Sequence, residues 1–415
     1  MTERIVIVGA GQAGFQLVLS LRLAGYGGAI VLVGDEPGLP YQRPPLSKAY
    51  LLDKLPLSEL VFRPEDFFVE NRIQRIAATA TAIDRKSRRV LLDRGDAVEY
   101  DRLVLAMGAY RRELRVEGAD LERVHGLATL GDADRLKSAL RNGCRQTVII
   151  GAGFIGLEFA SVARHLGLDV TVVDAASRAM VRAVSPAVSA YFEAHHSQQG
   201  TRLLFGEGVG RITGLGGTVT GVETSSGQLL PADCVVTGIG VIPNDVLARD
   251  CGLEVDNGII VDGQLATGDQ NIFAIGDCCN FLFGPAGTRC RLESVQNATD
   301  QARLLAARLA KGEHAQYSAV PWFWSDQGNL KLQIAGLAAG CDEFVELREA
   351  NGLSVLCFRK GVLAAVESIN RPADHMAARR LLASVGRRPT PAEAGRDGFV
   401  LKRFTADATA QNMTE

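Results

Sequence analysis

No two cysteines in this 415-residue chain stand in a C-x-x-C pair, and none of the eight, at 144, 234, 251, 278, 279, 290, 341 and 357, falls between residues 35 and 60. That spacing excludes a zinc ribbon and a thioredoxin-like redox pair, and no metal site is expected. The adjacent Cys278 and Cys279 can form only a strained disulfide. Most of the cysteines are therefore expected to be reduced, buried small hydrophobes of a cytoplasmic protein. Charge of one sign is also missing. The formal net charge is −2, with acids and bases interspersed, which argues against binding nucleic acid by phosphate neutralisation. No apolar run is long enough to span a bilayer, and the N-terminus enters an apolar strand almost at once, so no signal peptide is expected.

Glycine, in contrast, is plentiful at 45 residues, and its placement is specific. Ile5-Val6-Ile7-Val8 reads as a buried parallel strand. Gly9, Gly11 and Gly14 follow in G-x-G-x-x-G spacing. Gly9 permits the tight turn, Gly11 lets the backbone approach a pyrophosphate, and Gly14 lets the helix pack on the sheet. A helix over 15–24 turns its free N–H groups and positive dipole end to the phosphates. A strand over 29–33 then leads to Asp35, placed where a ribose hydroxyl needs an acceptor.

The same series recurs downstream. Thr147-Val148-Ile149-Ile150 is followed by Gly151, Gly153, Phe154, Ile155 and Gly156, and a strand over 170–173 ends at Asp174. Two copies are far more specific than one. They imply two bound dinucleotides, each on its own sheet. Asp174 is placed to accept from an adenosine ribose 2′-OH and to repel a 2′-phosphate, which favours NADH over NADPH. Arg178 lies near enough to complicate that preference.

Between and after the two motifs come Tyr41-Gln42-Arg43-Pro44-Pro45-Leu46-Ser47-Lys48, Gly276-Asp277, Glu293-Ser294-Val295-Gln296-Asn297-Ala298 and Pro321-Trp322-Phe323-Trp324-Ser325-Asp326-Gln327. The two prolines predict an extended entry with the preceding residue outside the α region, delivering Ser47 and Lys48 at the start of a helix. In this order, over about residues 4–404, the chain resembles the FAD-dependent NADH:ferredoxin reductases that serve bacterial oxygenases, the putidaredoxin reductase-like family. The resemblance implies an α/β fold with two Rossmann-like dinucleotide-binding domains, glutathione-reductase-like, plus a C-terminal α+β domain. The expected domains are 1–109 with 241–319 for FAD, 110–240 for NAD, and 320–404, followed by a disordered tail over 405–415.

The resemblance also implies the cofactors FAD and NADH and the residues that serve them. Lys48 sits beside the isoalloxazine and pairs with Glu158, on the first turn of the second motif's helix; the pair orders the nicotinamide pocket by charge and geometry. FAD contacts fall to Gly9, Gly11, Ala13, Gly14, Asp35, Arg43, Lys48, Ala80, Gly108, Asp277, Val295 and Trp324. NAD contacts fall to Gly151, Gly153, Phe154, Ile155, Gly156, Asp174 and Gly240. Asp277 accepts from ribityl hydroxyls, and Val295 starts a helix whose dipole favours negative charge on the flavin ring. Arg303, Lys331 and Trp324 are the expected docking residues for a 2Fe-2S ferredoxin feeding a cytochrome monooxygenase or aromatic-ring dioxygenase, and a monomer is expected.

Two positions depart from the family pattern. Met107 stands where threonine is usual in the segment before Gly108. Ala128 stands where an arginine contacts the flavin phosphates; Arg111 and Arg112 are candidates to replace it. Alternating patterns over 331–337, 344–347, 354–359 and 362–368 predict an antiparallel sheet covered by a helix over 374–384. Two other readings compete. A disulfide or peroxide reductase of the same superfamily has only Cys278 and Cys279 to work with. A redox-sensing flavoprotein needs no sustained turnover.

Overall fold

The structure is a computed structural model that describes residues 3–284, 287–384 and 386–412. The chain forms two compact units, one of Met1–Gln42, Pro56–Tyr110 and Val241–Ala319, the other of Arg43–Leu55, Arg111–Gly240 and Val320–Glu415.

The first unit is built on a parallel sheet whose strands lie in the order Ile272–Ala274, Arg102–Leu105, Ile5–Val8, Ile30–Gly34, Ile73–Ala77. Ile5, Val6, Ile7 and Val8 are all buried. That is the signature of a central strand covered on both faces, where β-branched side chains fit the pleat. The helix Gln12–Leu23 lies against the sheet through Phe15, Leu17, Val18 and Leu21 and packs beside the helix Val295–Lys311. It starts at Gln12, three residues before the expected position. Gly11 is its extended N-cap, so Ala13 and Gly14 lie inside the first turn. Gly14 costs about 1 kcal/mol of helix propensity there, but an added Cβ would sit 1.9 Å from the Gly9 carbonyl oxygen. An antiparallel three-stranded sheet, Ala80–Asp84, Arg89–Leu92 and Ala97–Glu99, completes the unit's strand-rich insert.

The second unit repeats the first design. Its parallel sheet runs Arg202–Phe205, Asp169–Asp174, Gln146–Ile150, Cys234–Thr237, Val124–Gly126. It also holds an antiparallel five-stranded sheet in the order Trp322–Gln327, Leu330–Gly336, Val362–Ile369, Gly352–Arg359, Glu343–Glu349. The helix Pro372–Ala383 covers this sheet with Ala377, Ala378, Leu381 and Leu382.

Three local expectations are corrected. In place of a disordered tail from residue 405, the chain forms a helix, Leu401–Asn412, with Leu401, Thr405 and Ala408 buried. Burying Leu401 contributes about 1.5–3 kcal/mol, and the small residues around it let the helix lie close to Pro372–Ala383; residues 413–415 lie outside the described residues. The Pro44–Ser47 segment is a single 3-10 turn, and Lys48 is its C-cap rather than the start of a helix. Arg43 before it takes helical angles (φ −77°, ψ −35°) because it is the N-cap of that turn, so the usual exclusion before proline gives way. Glu158 is the fifth residue of the helix Phe154–His165 and so opens its second turn, not its first.

Candidate functional site

The two glycine motifs fold into nearly identical cradles. Gly9 and Gly151 both turn with φ +109°, a conformation that only glycine adopts without strain. A Cβ at Gly9 would lie 2.2 Å from the Ala106 carbonyl oxygen, and one at Gly151 would lie 2.4 Å from that of Gly238. Gly14 and Gly156 press the helix against its own turn: their added Cβ atoms would fall 1.9 Å and 2.0 Å from the carbonyl oxygens of Gly9 and Gly151. Gly11 and Gly153 are the extended N-caps, without side-chain capping bonds and with no acid in the first turn after either. An added Cβ at Gly11 meets nothing within 4 Å, and one at Gly153 meets only the Gly238 carbonyl oxygen at 3.8 Å. Each helix therefore offers uncapped N–H groups, a positive dipole end and open space in front of it. This is the donor set a dinucleotide pyrophosphate requires. The residues fit two such groups, one per unit.

The acids at the strand ends differ. Parallel pairing sets Val8 beside Val33 and Ile150 beside Val173. The residue after each partner is Gly34 in the first cradle and Asp174 in the second, so Asp35 is displaced by one residue and is exposed. Asp174 accepts from Ala152 N–H at 2.6 Å and from Ala176 N–H at 2.8 Å. Its carboxylate thus ties the glycine turn to the strand end. Arg178 is not aimed at that carboxylate. Its guanidinium donates to the Val181 carbonyl at 3.0 Å, the Ser185 carbonyl at 3.4 Å and the Ser189 hydroxyl.

Around the first cradle, Ala13 is buried against Gly276, whose added Cβ would approach the Ala13 methyl to 2.9 Å. This brings Asp277 beside the cradle helix. Val295, half-buried, is the first residue of the helix Val295–Lys311, capped by Ser294 Oγ accepting from Asn297 N–H at 3.0 Å. Gly108 turns with φ +64° and its carbonyl accepts from Asn244 N–H at 3.0 Å. Met107 packs against the core behind Gly9. Ala80 opens an edge strand and is half-buried. Arg303, exposed, pairs loosely with Asp300 at 3.6 Å.

In the second unit the structure brings Lys48 and Glu158 together, with Nζ 2.9 Å from Oε1. Glu158 also accepts from Ser47 Oγ at 2.6 Å and from Ser325 Oγ at 2.7 Å. Its side chain is 7% exposed and that of Lys48 21%. A carboxylate so enclosed is stable as an anion only because every partner donates to it, and removing one partner of such a pair typically costs about 3–5 kcal/mol. Phe154 is half-buried against Phe323, with ring centroids 4.5 Å apart, while Ile155 is exposed beside it. Gly240 turns with φ +99°, and its carbonyl accepts from Arg112 N–H at 2.9 Å. Trp324 is half-buried beside Trp322, 5.5 Å between centroids, and Lys331 is exposed on the next strand. Arg43 donates to the Ala128 carbonyl at 2.6 Å, and the Arg111 guanidinium lies over Gly126. Two cations thus flank the position that lacks the family's arginine.

Motif reading missed Ser47, Ser325 and the residues behind them, because their contact with Glu158 spans 111 and 167 positions of sequence. Cys278 and Cys279 are fully buried, and burial pushes Cys278 up to about 12 and Cys279 well above the ordinary thiol range. All eight cysteines are free thiols. Neither of the adjacent pair is an accessible thiolate, the species disulfide exchange needs.

Residues 3–302 match the family model described as pyridine nucleotide-disulphide oxidoreductase, and residues 322–405 match the reductase C-terminal model. The chain belongs to the pyridine nucleotide-disulphide oxidoreductase family. Among its relatives, rhodocoxin reductase of Rhodococcus erythropolis is 50% identical over 403 residues, covering 96% of this chain and 93% of that one. The solved ferredoxin reductase for the CYP199A2 system from Rhodopseudomonas palustris superposes with a TM-score of 0.94 at 48% identity, over 97% of this chain and 100% of that one. The reductase of a covalent putidaredoxin reductase–putidaredoxin complex superposes with a TM-score of 0.94 at 37% identity, over 98% and 99%. The fold is the two-dinucleotide α/β architecture with a C-terminal α+β part. Among the described residues no helix is long and apolar enough to cross a membrane.

Proposed function

We propose that the protein is an FAD-dependent ferredoxin reductase that takes electrons from NADH and delivers them to a 2Fe-2S ferredoxin serving an oxygenase. The paired glycine cradles, open at both helix N-termini, with Cys278 and Cys279 fully buried, carry this reading. Relatives named as reductases of rhodocoxin and putidaredoxin support the ferredoxin as partner. Bound FAD supplies the conversion of a two-electron hydride donor into single electrons. The chain's own contribution is position and charge.

We assign FAD to 1–109 with 241–319, NAD to 110–240 and partner contact to 320–404 together with Arg303. Within the second unit, the cradle at Gly151–Gly156 holds the NADH pyrophosphate and Asp174 takes the adenosine ribose. Lys48 and Glu158 border the nicotinamide end, where a fixed ion pair orients the ring without moving a proton. Asp277 and Val295 serve the flavin's ribityl chain and ring in the first unit. Trp324, Lys331 and Arg303 meet the ferredoxin, in a cytoplasmic monomer.

The test is anaerobic NADH-dependent reduction of a 2Fe-2S ferredoxin by the purified yellow protein, read through cytochrome c. Sustained flux is expected. Protein that remains colourless after reconstitution with FAD, or that bleaches with NADH yet passes nothing on, refutes the proposal. The second result is what a redox sensor would give.

A further inference from the structure

The strand Trp322–Gln327 has two faces, as the period of two requires. Trp322 and Trp324 share one face, 5.5 Å apart. Phe323, Ser325 and Gln327 share the other, and all three reach elements of the NAD-binding half: Phe323 meets Phe154, Ser325 meets Glu158, and Gln327 meets His196 and Met180. We propose that Ser325 and Gln327 are positioning residues for Glu158, fixing its carboxylate in the orientation that the Lys48–Glu158 pair needs during hydride transfer from NADH. The inference rests on the reading that this pair works at the nicotinamide.

Donor directions leave little freedom. A carboxylate only accepts, so Ser47, Ser325 and Lys48 must each donate to Glu158. The single hydroxyl proton of Ser325 is then committed, and its oxygen can only accept, from Gln327 Nε2 at 3.2 Å. With Gln327 so oriented, its Oε1 faces His196 Nε2 at 2.8 Å, which must carry the ring proton. Burial pushes the His196 pKa below the ordinary histidine value, so the ring is neutral at pH 7 and this proton fixes its tautomer. The chain runs one way, from His196 through Gln327 and Ser325 to Glu158. Ser325 and Gln327 are 0% exposed and His196 1%, so no water replaces a missing member, and each bond polarises the next. A strand whose Trp324 is expected to meet the ferredoxin thus also serves the NADH half-reaction through its opposite side.

The test uses the full-length holoenzyme in anaerobic stopped flow, following flavin bleaching by NADH and, separately, reoxidation by ferricyanide. Ser325→Ala is expected to lower the limiting bleaching rate about tenfold, the order of one hydrogen bond to an ionised group. Reoxidation and the half-saturating NADH concentration should stay within about twofold. Ser325→Thr, which restores the hydroxyl, should recover most of the rate. In a Glu158→Gln background, Ser325→Ala should add almost nothing, because its effect acts through the carboxylate. If Ser325→Ala loses flavin, Gln327→Leu carries the same comparison with a smaller, similarly non-additive loss.

A Glu158→Gln enzyme that bleaches at the wild-type rate would refute the role of the Lys48–Glu158 pair itself. A slow Glu158→Gln enzyme beside an unaffected Ser325→Ala, or fully additive losses, would overturn the positioning role alone.

Discussion

Asp174 offers the sharpest test of how this chain chooses its nucleotide. Its two oxygens hold the N–H groups of Ala152 and Ala176. Ala152 is 0% exposed, so Asp174→Ala strands a buried donor, at a cost of about 1–3 kcal/mol. Ala176 is half-exposed and rehydrates. Selectivity rests on a different term. A 2′-phosphate carries about −1.5 to −2 charges at neutral pH, as phosphoryl groups on side chains do. At roughly 4 Å from the carboxylate, each charge pair repels by ~1 kcal/mol in water and ~4 at an effective dielectric of 20. Asp174 is half-exposed, so the low end applies, about 2 kcal/mol or roughly thirtyfold in the NADH/NADPH ratio. The Arg178 guanidinium is held by Val181, Ser185 and Ser189 rather than by the Asp174 carboxylate.

Asp174→Asn separates the two terms. The amide keeps one acceptor for the turn and loses the charge. It should lose most of the thirtyfold preference while unfolding at a temperature closer to wild type than the alanine variant. The assay is kcat/KM for both nucleotides with ferricyanide, at low ionic strength and at 0.3 M salt, where screening should already narrow the wild-type gap. An Asp174→Asn protein that retains FAD and keeps its ratio within twofold refutes the role of the carboxylate charge.

Three further outcomes are expected. Glu367 is fully buried, with its carboxylate on Ser185 N–H at 2.9 and 3.1 Å, and burial, opposed by Ser185 and Arg178, raises it to about 7. The folded chain then holds a proton that the unfolded chain has lost, so this residue's stabilisation falls as pH rises from about 4.5 to 7, by on the order of 3 kcal/mol; Glu367→Gln should unfold at a higher temperature than wild type at pH 8 and lose that advantage at pH 5, and a pH-independent difference would contradict the assignment. Cys278 and Cys279 should resist iodoacetamide in the native protein, and Cys279→Ala should keep NADH–ferredoxin turnover within about twofold beside a buried-truncation cost of ~1–2 kcal/mol; rapid labelling or lost turnover would revive disulfide chemistry. Arg111→Ala should weaken FAD retention about tenfold, the order of one charge-assisted contact, whereas Arg112→Ala should not; equal effects in an equilibrium dialysis of the flavin would remove Arg111 from the role vacated at Ala128.

What the sequence declares is what short-range rules dictate. Ile5–Val8 is a four-residue apolar run and Gln146–Ile150 ends in the apolar run Val148-Ile149-Ile150, each ahead of a glycine, and a buried strand with a tight turn accommodates both. The alternation at the start of Leu330–Gly336 is equally local, whereas Val362–Ile369 is buried on both faces over most of its length. Boundaries slip where one glycine plays two parts, as Gly14 does inside a helix that it was expected to precede. The tail helix Leu401–Asn412 is hidden because the residues after Phe404 are small and polar, with no apolar stripe of their own, and its burial comes from Pro372–Ala383. The environment of Glu158 is hidden for a stronger reason. Ser325 and Gln327 are ordinary strand residues until a fold sets them against helices from 167 and 131 positions away.

The two cradles show where repetition stops carrying information. Their turns share one φ, their helix starts share one cap, and the same carbonyl–Cβ conflict makes the last glycine of each motif irreplaceable. Those features answer to the pyrophosphate, common to every dinucleotide, so they cannot decide which one binds. We infer that the decision falls on the last residue of the second strand. There the second cradle has Asp174 bonded to Ala152, while the first has Gly34, where a Cβ would lie 2.7 Å from the Ala10 methyl. An acid transplanted to position 34 would collide with the turn before it met a ribose. We therefore propose that the first cradle's ribose acceptor lies further along, at Asp35, on a backbone that has already left the strand. On this proposal, nucleotide specificity is set beside the glycine motif, not within it.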